Sequence, residues 1–363
     1  MADFTSALYL GLRHPSSSLA PWEQLTTGQP AELHTPASQL ALTHALAGLT
    51  GCEQATLGAS TLHLFWDLFG MLDRRRAIYM DAGVYPIGRW GVERAAARKI
   101  PVQVFTHHDS EALRWVLHHG AAQRLRPVVV ADGFCPGCGQ PAPVADYLEI
   151  IRHRGGLLVL DDTQALGILG HSPCTEKPLG QGGGGSLRFQ NAARPDVVLI
   201  SSLAKAFGAP LAMLAGSASM VRSFEAKSET RMHTSPPSRA ALHAAWRALQ
   251  INSACGDVLR SRLVQLVRRF CRRLAEMGLQ TLGGAFPVQI LGPLPGIDAD
   301  RLHRQLLRWG IQTVLHRGAD KSRISFLLNA RHAASDIDGA VAALRDALGL
   351  QQREGLALAG SSR

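Results

Sequence analysis

The chain has 363 residues, and its 38 Lys and Arg residues against 28 Asp and Glu residues give a formal net charge of +10. This length exceeds what one hydrophobic core usually serves, so we expect a large domain and a smaller one. Hydrophobic residues make up 46% and charged residues 18%, which excludes a wholly disordered chain. No apolar run approaches the ~18 residues of a membrane helix, and the start of the chain lacks a secretory signal pattern. We therefore expect a cytoplasmic protein.

Residues 1–40 are rich in Ser, Thr, Pro and Gly and predict an extended N-terminal arm. From residue 41 to residue 250, short apolar runs alternate with helical patterns. We predict helices over residues 40–50, 61–72, 110–119 and 145–153, and strands over residues 56–59, 77–80, 102–105, 128–132, 157–161 and 197–201. This alternation predicts an α/β domain, a mostly parallel sheet with helices on both faces, in which ligands bind at the carboxyl ends of the strands.

The second half of the chain contains a glycine-rich segment, and after it the pattern of predicted helices and strands changes. Residues 180–186 read Gly-Gln-Gly-Gly-Gly-Gly-Ser, do not match a P-loop, and predict a flexible surface insertion. Residues 251–350 predict a small α+β C-terminal domain, with a basic helix, strands over residues 286–291 and 323–328, and helices over residues 299–309 and 335–348. Residues 351–363 predict a flexible tail.

The positive charge does not indicate a nucleic-acid partner, and the cysteines do not indicate a metal site. Six arginines cluster between residues 260 and 273, where apolar residues recur at helical spacing, so we expect the arginines on a solvated helix face. No aromatic-interleaved basic stripe supports a nucleic-acid partner. Cys135 and Cys138 form one CxxC pair, but zinc needs two further ligands at comparable spacing, so we predict no metal site.

Two predicted strands end in polar side chains that together indicate a chemistry. Asp161 ends an apolar run, and the run over residues 197–201 is followed by Ser202 and then by Lys205 among small and apolar residues. Pyridoxal phosphate needs a lysine that forms an imine with its aldehyde and a carboxylate that keeps its pyridine nitrogen protonated. It also needs hydroxyls and a helix N-terminus for its phosphate. Each signal is weak alone, and the combination indicates a pyridoxal-phosphate enzyme.

At these residues the chain resembles the fold-type I pyridoxal-phosphate enzymes. The resemblance is to the α-oxoamine synthases, the branch of 8-amino-7-oxononanoate synthase and serine palmitoyltransferase beside the class I/II aminotransferases. The motifs that carry it are Tyr9-Leu10-Gly11-Leu12, Asp161-Asp162-Thr163-Gln164, Ser202-Leu203-Ala204-Lys205-Ala206-Phe207-Gly208 and Thr234-Ser235-Pro236-Pro237.

The resemblance implies a homodimer and a role for each matching position. Lys205 would bind the cofactor and move a proton at the substrate Cα, Asp161 would pair with the pyridine nitrogen, and Arg323 would bind a substrate carboxylate. The other implied cofactor-binding residues are Gln164 at the phenolic oxygen, Tyr85 stacked on the ring, and Ser60, Thr61, Ser202 and Thr234 at the phosphate, Thr234 from across the dimer interface. Tyr85 and Gln164 stand where the family has histidine.

The implied activity is that of a transferase that condenses an amino acid with an acyl thioester, either acyl-CoA or an acyl carrier, with loss of the carboxylate. An aminotransferase with a keto-acid partner is an alternative on the same scaffold. A non-catalytic relative is a further alternative, because two family histidines are replaced and one fold hosts several functions. The amino acid, the acyl group and the role of residues 170–193 do not follow from the sequence.

Overall fold

The computed structural model describes residues 1–33, 35–120, 124–294, 296–317 and 322–349. The chain divides into two compact units. The larger consists of Leu8–Pro136 and Gln140–Ser261, and the smaller of Met1–Ala7, Gly137–Gly139 and the chain from Arg262 onward. The predicted tail, residues 351–363, lies outside the described residues.

A seven-stranded sheet runs through the larger unit. Its strands in chain order are β1 (Gln54–Gly58), β2 (Arg76–Asp81), β3 (Val102–Phe105), β4 (Arg126–Asp132), β5 (Leu157–Asp161), β6 (Val197–Ser202) and β7 (Ala212–Gly216). They lie in the order β1-β7-β6-β5-β4-β2-β3; β7 runs antiparallel to β1 and β6, and the other neighbouring pairs are parallel. The central strands are runs of Val, Leu and Ile buried on both faces, as a parallel sheet requires. The predicted mostly parallel α/β sheet is confirmed.

Helices connect and cover these strands. In chain order they are α1 (Ala37–Thr50), α2 (Thr61–Gly70), α3 (Pro86–Ala97), α4 (Ser110–His119), α5 (Val144–Arg152), α6 (Ser186–Phe189), α7 (Ala218–Glu225), α8 (Glu229–His233), α9 (Arg239–Ala275), α10 (Ala299–Arg308) and α11 (Ala334–Ala347). Helix α2 buries Phe65 and Phe69 in the core. Helix α3 packs closely on it, since a Cβ at Gly91 would lie 2.6 Å from the Phe69 ring.

The smaller unit has an antiparallel sheet with helices, the α+β pattern that its sequence predicts. Its strands are β8 (Thr281–Leu282), β9 (Val288–Leu291), β10 (Val314–Arg317) and β11 (Ser322–Leu327), in the order β8-β9-β11-β10. Phe270 of α9 contacts Phe326 of β11, with ring centroids 5.0 Å apart. Arg269 and Asp338 join α9 to α11 through two hydrogen bonds of 2.9 and 2.5 Å.

The prediction of a surface insertion is wrong for the glycine-rich segment at residues 180–186. Gly183, Gly184 and Gly185 are buried. The Asn252 side chain donates to the Gly182 carbonyl at 2.9 Å, and the Gly182 N–H donates to Asp257 at 2.9 Å. Glycine is needed here because of close packing, since a Cβ on Gly185, at φ +86°, would lie 1.9 Å from Asp162.

Arg260 is buried, whereas its cluster was predicted to lie on a solvated face. Its side chain is 2% exposed and donates to the Gly167 carbonyl at 2.8 Å, to Asn252 at 2.8 Å and to Asp257 at 2.7 Å. This one guanidinium therefore joins α9 to the backbone at Gly167 and to the Asn252 and Asp257 side chains that hold Gly182.

We expect Arg260→Met to lower the free energy of unfolding by about 3 kcal/mol, because it leaves the buried oxygens of Gly167 and Asn252 without their donor. Urea denaturation followed by circular dichroism measures the change. Arg272→Met, on the exposed face of the same helix, is the control and should leave the midpoint in place. Equal midpoints for the two variants would contradict this account of the segment.

Among the described residues, no helix combines the length and the apolar character needed to cross a bilayer. The cytoplasmic location stays a prediction.

Candidate active site

The carboxyl ends of β5 and β6 lie side by side and bring together the residues singled out in the sequence. Asp161 is the last residue of β5 and is the register partner of Ile200 on the parallel strand β6. Strand β6 ends at Ser202, and Lys205 follows in the turn. The Ser202 N–H donates to Thr163 Oγ1 at 3.0 Å, a bond that joins the two strand ends. The arrangement follows from two apolar parallel strands that stop at the same edge of the sheet.

Lys205 is half-buried, and its surroundings act on its charge in two directions. Burial lowers the pKa of the Lys205 amine, while Asp161 and Asp132 raise it. The neighbouring side chains of Leu203, Ala206 and Phe207 are buried. A desolvated amine is more easily deprotonated, and the neutral amine is the form that attacks an aldehyde.

Asp161 is a buried carboxylate whose partners hold it in place. It is 9% exposed, and its Oδ1 accepts the Thr163 N–H at 3.0 Å. Burial raises the pKa of the Asp161 carboxyl, and the Thr163 hydrogen bonds and Lys205 oppose this shift. A cationic group, such as a protonated pyridine nitrogen, would offset the cost of keeping this carboxylate charged.

Three of the residues predicted to bind phosphate are near strand or helix ends. Ser60 directly precedes α2 and its hydroxyl is 2.8 Å from His63 Nδ1, so it does not cap the helix. The hydrogen-bond ladder of α2 begins with the Leu64 N–H, which donates to the Ser60 carbonyl. The N–H groups from Thr61 to His63 therefore have no acceptor within the helix. Ser202 Oγ accepts the Ala204 N–H at 3.2 Å and keeps its own hydrogen to donate.

Thr234 is the fourth residue predicted to bind phosphate, and its hydroxyl is already engaged. It follows α8 and donates to the Thr230 carbonyl at 2.7 Å. To donate to a phosphate, this hydroxyl would have to give up that bond. The role of Thr234 stays a prediction.

Tyr85 and Gln164, which stand where the family has histidine, are both held by residues to which the sequence alone assigns no contact. The Tyr85 N–H donates to Asp132 Oδ1 at 3.2 Å, and its side chain is 57% exposed. Gln164 Oε1 accepts the Tyr9 hydroxyl at 2.7 Å. Since the amide oxygen is taken, Gln164 presents its NH₂ as a donor, which suits an anionic phenolic oxygen.

Arg323, the predicted carboxylate-binding residue, lies on β11 of the smaller unit and is exposed. It lines an open cavity of that unit together with Leu291, Ile297 and Asp298. Among the described residues, no ion pair involves its guanidinium. The side chain is therefore available to a carboxylate ligand.

By type, the groups of the larger unit fit pyridoxal phosphate. They provide a desolvated amine, a buried carboxylate beside it, hydroxyls, and helix N–H groups without an acceptor in the helix. Their chemistry matches an aldehyde, a pyridine nitrogen and a phosphate, respectively.

Tyr9→Phe tests the role of the amide orientation. Loss of the hydroxyl frees Gln164 to rotate, and we expect a cost of about 0.5–1.5 kcal/mol, or roughly a 2- to 12-fold rise in the dissociation constant of pyridoxal phosphate. Absorbance titration of the apoprotein measures this constant. Tyr79→Phe is the control, because Tyr79 is buried and its hydroxyl has no hydrogen-bond partner among the described residues. The same constant in both variants would contradict the prediction.

Known proteins resemble this chain in sequence and in structure. The chain matches the family model of aminotransferase class I and II over residues 17–344. The 8-amino-7-oxononanoate synthase of Alkalilimnicola ehrlichii is 29% identical over 326 residues, which cover 87% of this chain and 78% of that protein. A serine palmitoyltransferase from S. paucimobilis has a similar structure, with a TM-score of 0.83, 14% identity, and coverage of 96% of this chain and 88% of its own. For the 8-amino-7-oxononanoate synthase of Francisella tularensis the TM-score is 0.75 at 16% identity, with coverage of 96% and 98%.

These findings confirm the resemblance, the fold-type I transferase fold, pyridoxal phosphate as the cofactor and the transferase class. They support the α-oxoamine synthase interpretation over the aminotransferase alternative. The roles of individual residues stay predictions. Because the family model matches most of its length, the chain belongs to the aminotransferase class I and II family.

Proposed function

We propose that the chain condenses an amino acid with the acyl group of a thioester and releases carbon dioxide and the free thiol. The observation that carries the proposal is the half-buried amine of Lys205, which interacts with the strand-end carboxylates Asp161 and Asp132. The relatives named above, a synthase that makes an amino-oxo acid and a palmitoyltransferase, support condensation.

The chain's own residues have separate tasks in this reaction. Bound pyridoxal phosphate supplies the electron sink for the carbanion at the substrate Cα. Lys205 holds the cofactor and then moves a proton at Cα, a role that suits an amine whose pKa is lowered by burial. Asp161 pairs with the pyridine nitrogen and keeps it protonated. Tyr85 covers the ring, and Gln164 donates to the phenolic oxygen.

The anionic ends of cofactor and substrate need cationic or donor groups. We assign the phosphate to the hydroxyls of Ser60, Thr61 and Ser202 and to the first N–H groups of α2, where the helix dipole favours an anion. Thr234 would add a donor from a second copy of the chain. Arg323 would bind a substrate carboxylate by its planar guanidinium.

We propose that the active form is a homodimer. The neighbouring helices α2 and α3 expose large apolar side chains, with Leu62 at 37%, Trp66 at 43% and Trp90 at 48% exposure. Such apolar surface on adjacent helices is typical of an interaction site. Sedimentation equilibrium should give twice the chain mass, and Trp66→Glu should shift it toward the monomer.

Product analysis tests the reaction itself. The purified protein with pyridoxal phosphate is incubated with single amino acids and with acyl-CoA or acyl-carrier thioesters, and free thiol and carbon dioxide are measured. For one combination of amino acid and thioester, we expect free thiol and carbon dioxide in equal amounts. Whether acyl-CoA or the acyl-carrier thioester supports this release identifies the acyl donor. Formation of a keto acid without thiol release would instead establish the aminotransferase.

A further inference from the structure

Asp132 occupies a position equivalent to that of Asp161 on the neighbouring strand. It is the last residue of β4 and is the register partner of Asp161 on the parallel strand β5. The Gly133 N–H donates to the Asp161 carbonyl at 2.8 Å, which ties the loop after β4 to the end of β5. Two carboxylates therefore end adjacent strands at the edge of the sheet that also carries Lys205.

The Asp132 carboxylate holds the segment that carries Tyr85. Its Oδ1 accepts the Tyr85 N–H at 3.2 Å across 47 residues of sequence. Tyr85 directly precedes α3, whose first residue is Pro86. The ring of Pro86 clashes with a helical conformation of the preceding residue and keeps Tyr85 extended, so the backbone at Tyr85 has few other orientations once its N–H is bound. The hydrogen bond thus fixes the position of the Tyr85 backbone, from which the exposed ring extends.

The charges around Asp132 do not balance when every group is ionised. Burial, together with the nearby Asp161 and Asp81, raises the pKa of Asp132 to about 8, although the Tyr85 hydrogen bond and Lys205 act to lower it. Asp161, Asp132 and one ammonium together carry an excess negative charge. A proton on Asp132 removes that excess, so its carboxyl changes charge within the range where the protein can be assayed.

We infer that Asp132 is a positioning residue of the cofactor site, which fixes Tyr85 through its backbone and places a second carboxylate at the strand ends beside Lys205. The inference rests on the proposed function, because it assumes that Lys205 and Tyr85 contact pyridoxal phosphate. Asp132 itself is not assigned a proton-transfer step.

Two substitutions separate the two parts of this role. Asp132→Asn keeps an oxygen that can accept the Tyr85 N–H but cannot become negative. Asp132→Ala removes both the acceptor and the charge. Asp73→Asn is the matched control, since Asp73 is exposed and also accepts a backbone N–H, that of Arg75, at 2.9 Å. Each apoprotein is titrated with pyridoxal phosphate, and the visible absorption of the loaded protein is followed from pH 6 to pH 10.

We expect Asp132→Ala to raise the dissociation constant of the cofactor about tenfold and Asp132→Asn to change it much less. The ionised carboxylate stabilises a cation beside it, so its loss should move the pH midpoint of the visible band about one unit lower in both variants. A merely structural role would lower the melting temperature and leave this midpoint unchanged. If both variants kept the wild-type dissociation constant and the wild-type pH midpoint, the inference would be overturned while the proposed function stayed intact. A wild-type protein that takes up no cofactor would overturn the proposed function itself.

Discussion

Lys205→Ala should abolish the visible absorption of the protein loaded with pyridoxal phosphate and reduce thiol release by at least about 10³-fold. Under the proposed function, the variant loses both the amine that would hold the cofactor and the base that would move a proton at the substrate Cα. General acid–base groups alone contribute about 10² to 10⁴-fold to a rate. Because Lys205 is half-buried among apolar neighbours, alanine leaves the fold in place.

Absorbance spectra and thiol release of the loaded variant provide the two measurements. Lys227→Ala is the control, because Lys227 is exposed in the turn that follows α7. It should keep the spectrum and the rate of the wild type. A Lys205→Ala protein that retains the visible band would mean that another lysine holds the cofactor.

The second large effect is expected for Asp161→Asn. Asparagine keeps the oxygen that accepts the Thr163 N–H, so the local backbone should be preserved. It cannot neutralise a protonated pyridine nitrogen in a buried site. Removing one partner of a buried charged hydrogen bond costs about 2–5 kcal/mol, which corresponds to a roughly 30- to 5,000-fold weaker affinity for pyridoxal phosphate.

Equilibrium titration by absorbance measures this affinity, and Asp73→Asn again controls for the loss of an exposed carboxylate. Pyridoxine 5′-phosphate, which lacks the aldehyde, should show the same loss, since the effect concerns the ring nitrogen and not Lys205. An unchanged affinity for both compounds would show that Asp161 does not face the ring.

The strands of the large domain could be predicted because their sequences are unambiguous. The runs that end at Asp132 and Asp161 read Val-Val-Val-Ala and Leu-Leu-Val-Leu, continuous apolar stretches whose short length favours a buried parallel strand. Helix α3 was missed because Gly88 and Gly91 weaken its helical pattern. The structure shows that Gly91 permits the close approach of α3 to Phe69.

The same physical reason explains the error at the glycine-rich segment. A run of glycines has no side chains to show periodicity, and composition alone cannot distinguish a mobile loop from a tightly packed one. What decides between them is the pair of distant partners, Asn252 and Asp257, which lie at least 66 residues further along the chain than the last residue of the segment. Local sequence carries no signal for such contacts.

The candidate site was predicted in part. Asp161 and Lys205 follow from the rule that ligands lie at strand ends, and the same rule applied to Asp132 would have found the second carboxylate. Tyr9 could not be assigned a contact in this way, because its bond to Gln164 joins residues 155 positions apart. A resemblance can indicate that Tyr9 matches a motif. That its hydroxyl orients the Gln164 amide is seen only in the folded structure.

The most direct test of the central claim is to find the residue that holds the cofactor. The protein is loaded with pyridoxal phosphate, reduced with borohydride, digested and analysed by mass spectrometry. We expect the mass of the reduced cofactor on Lys205, within the peptide that contains Ser202. Attachment to a different lysine, or a protein that carries no cofactor after reduction, would contradict it.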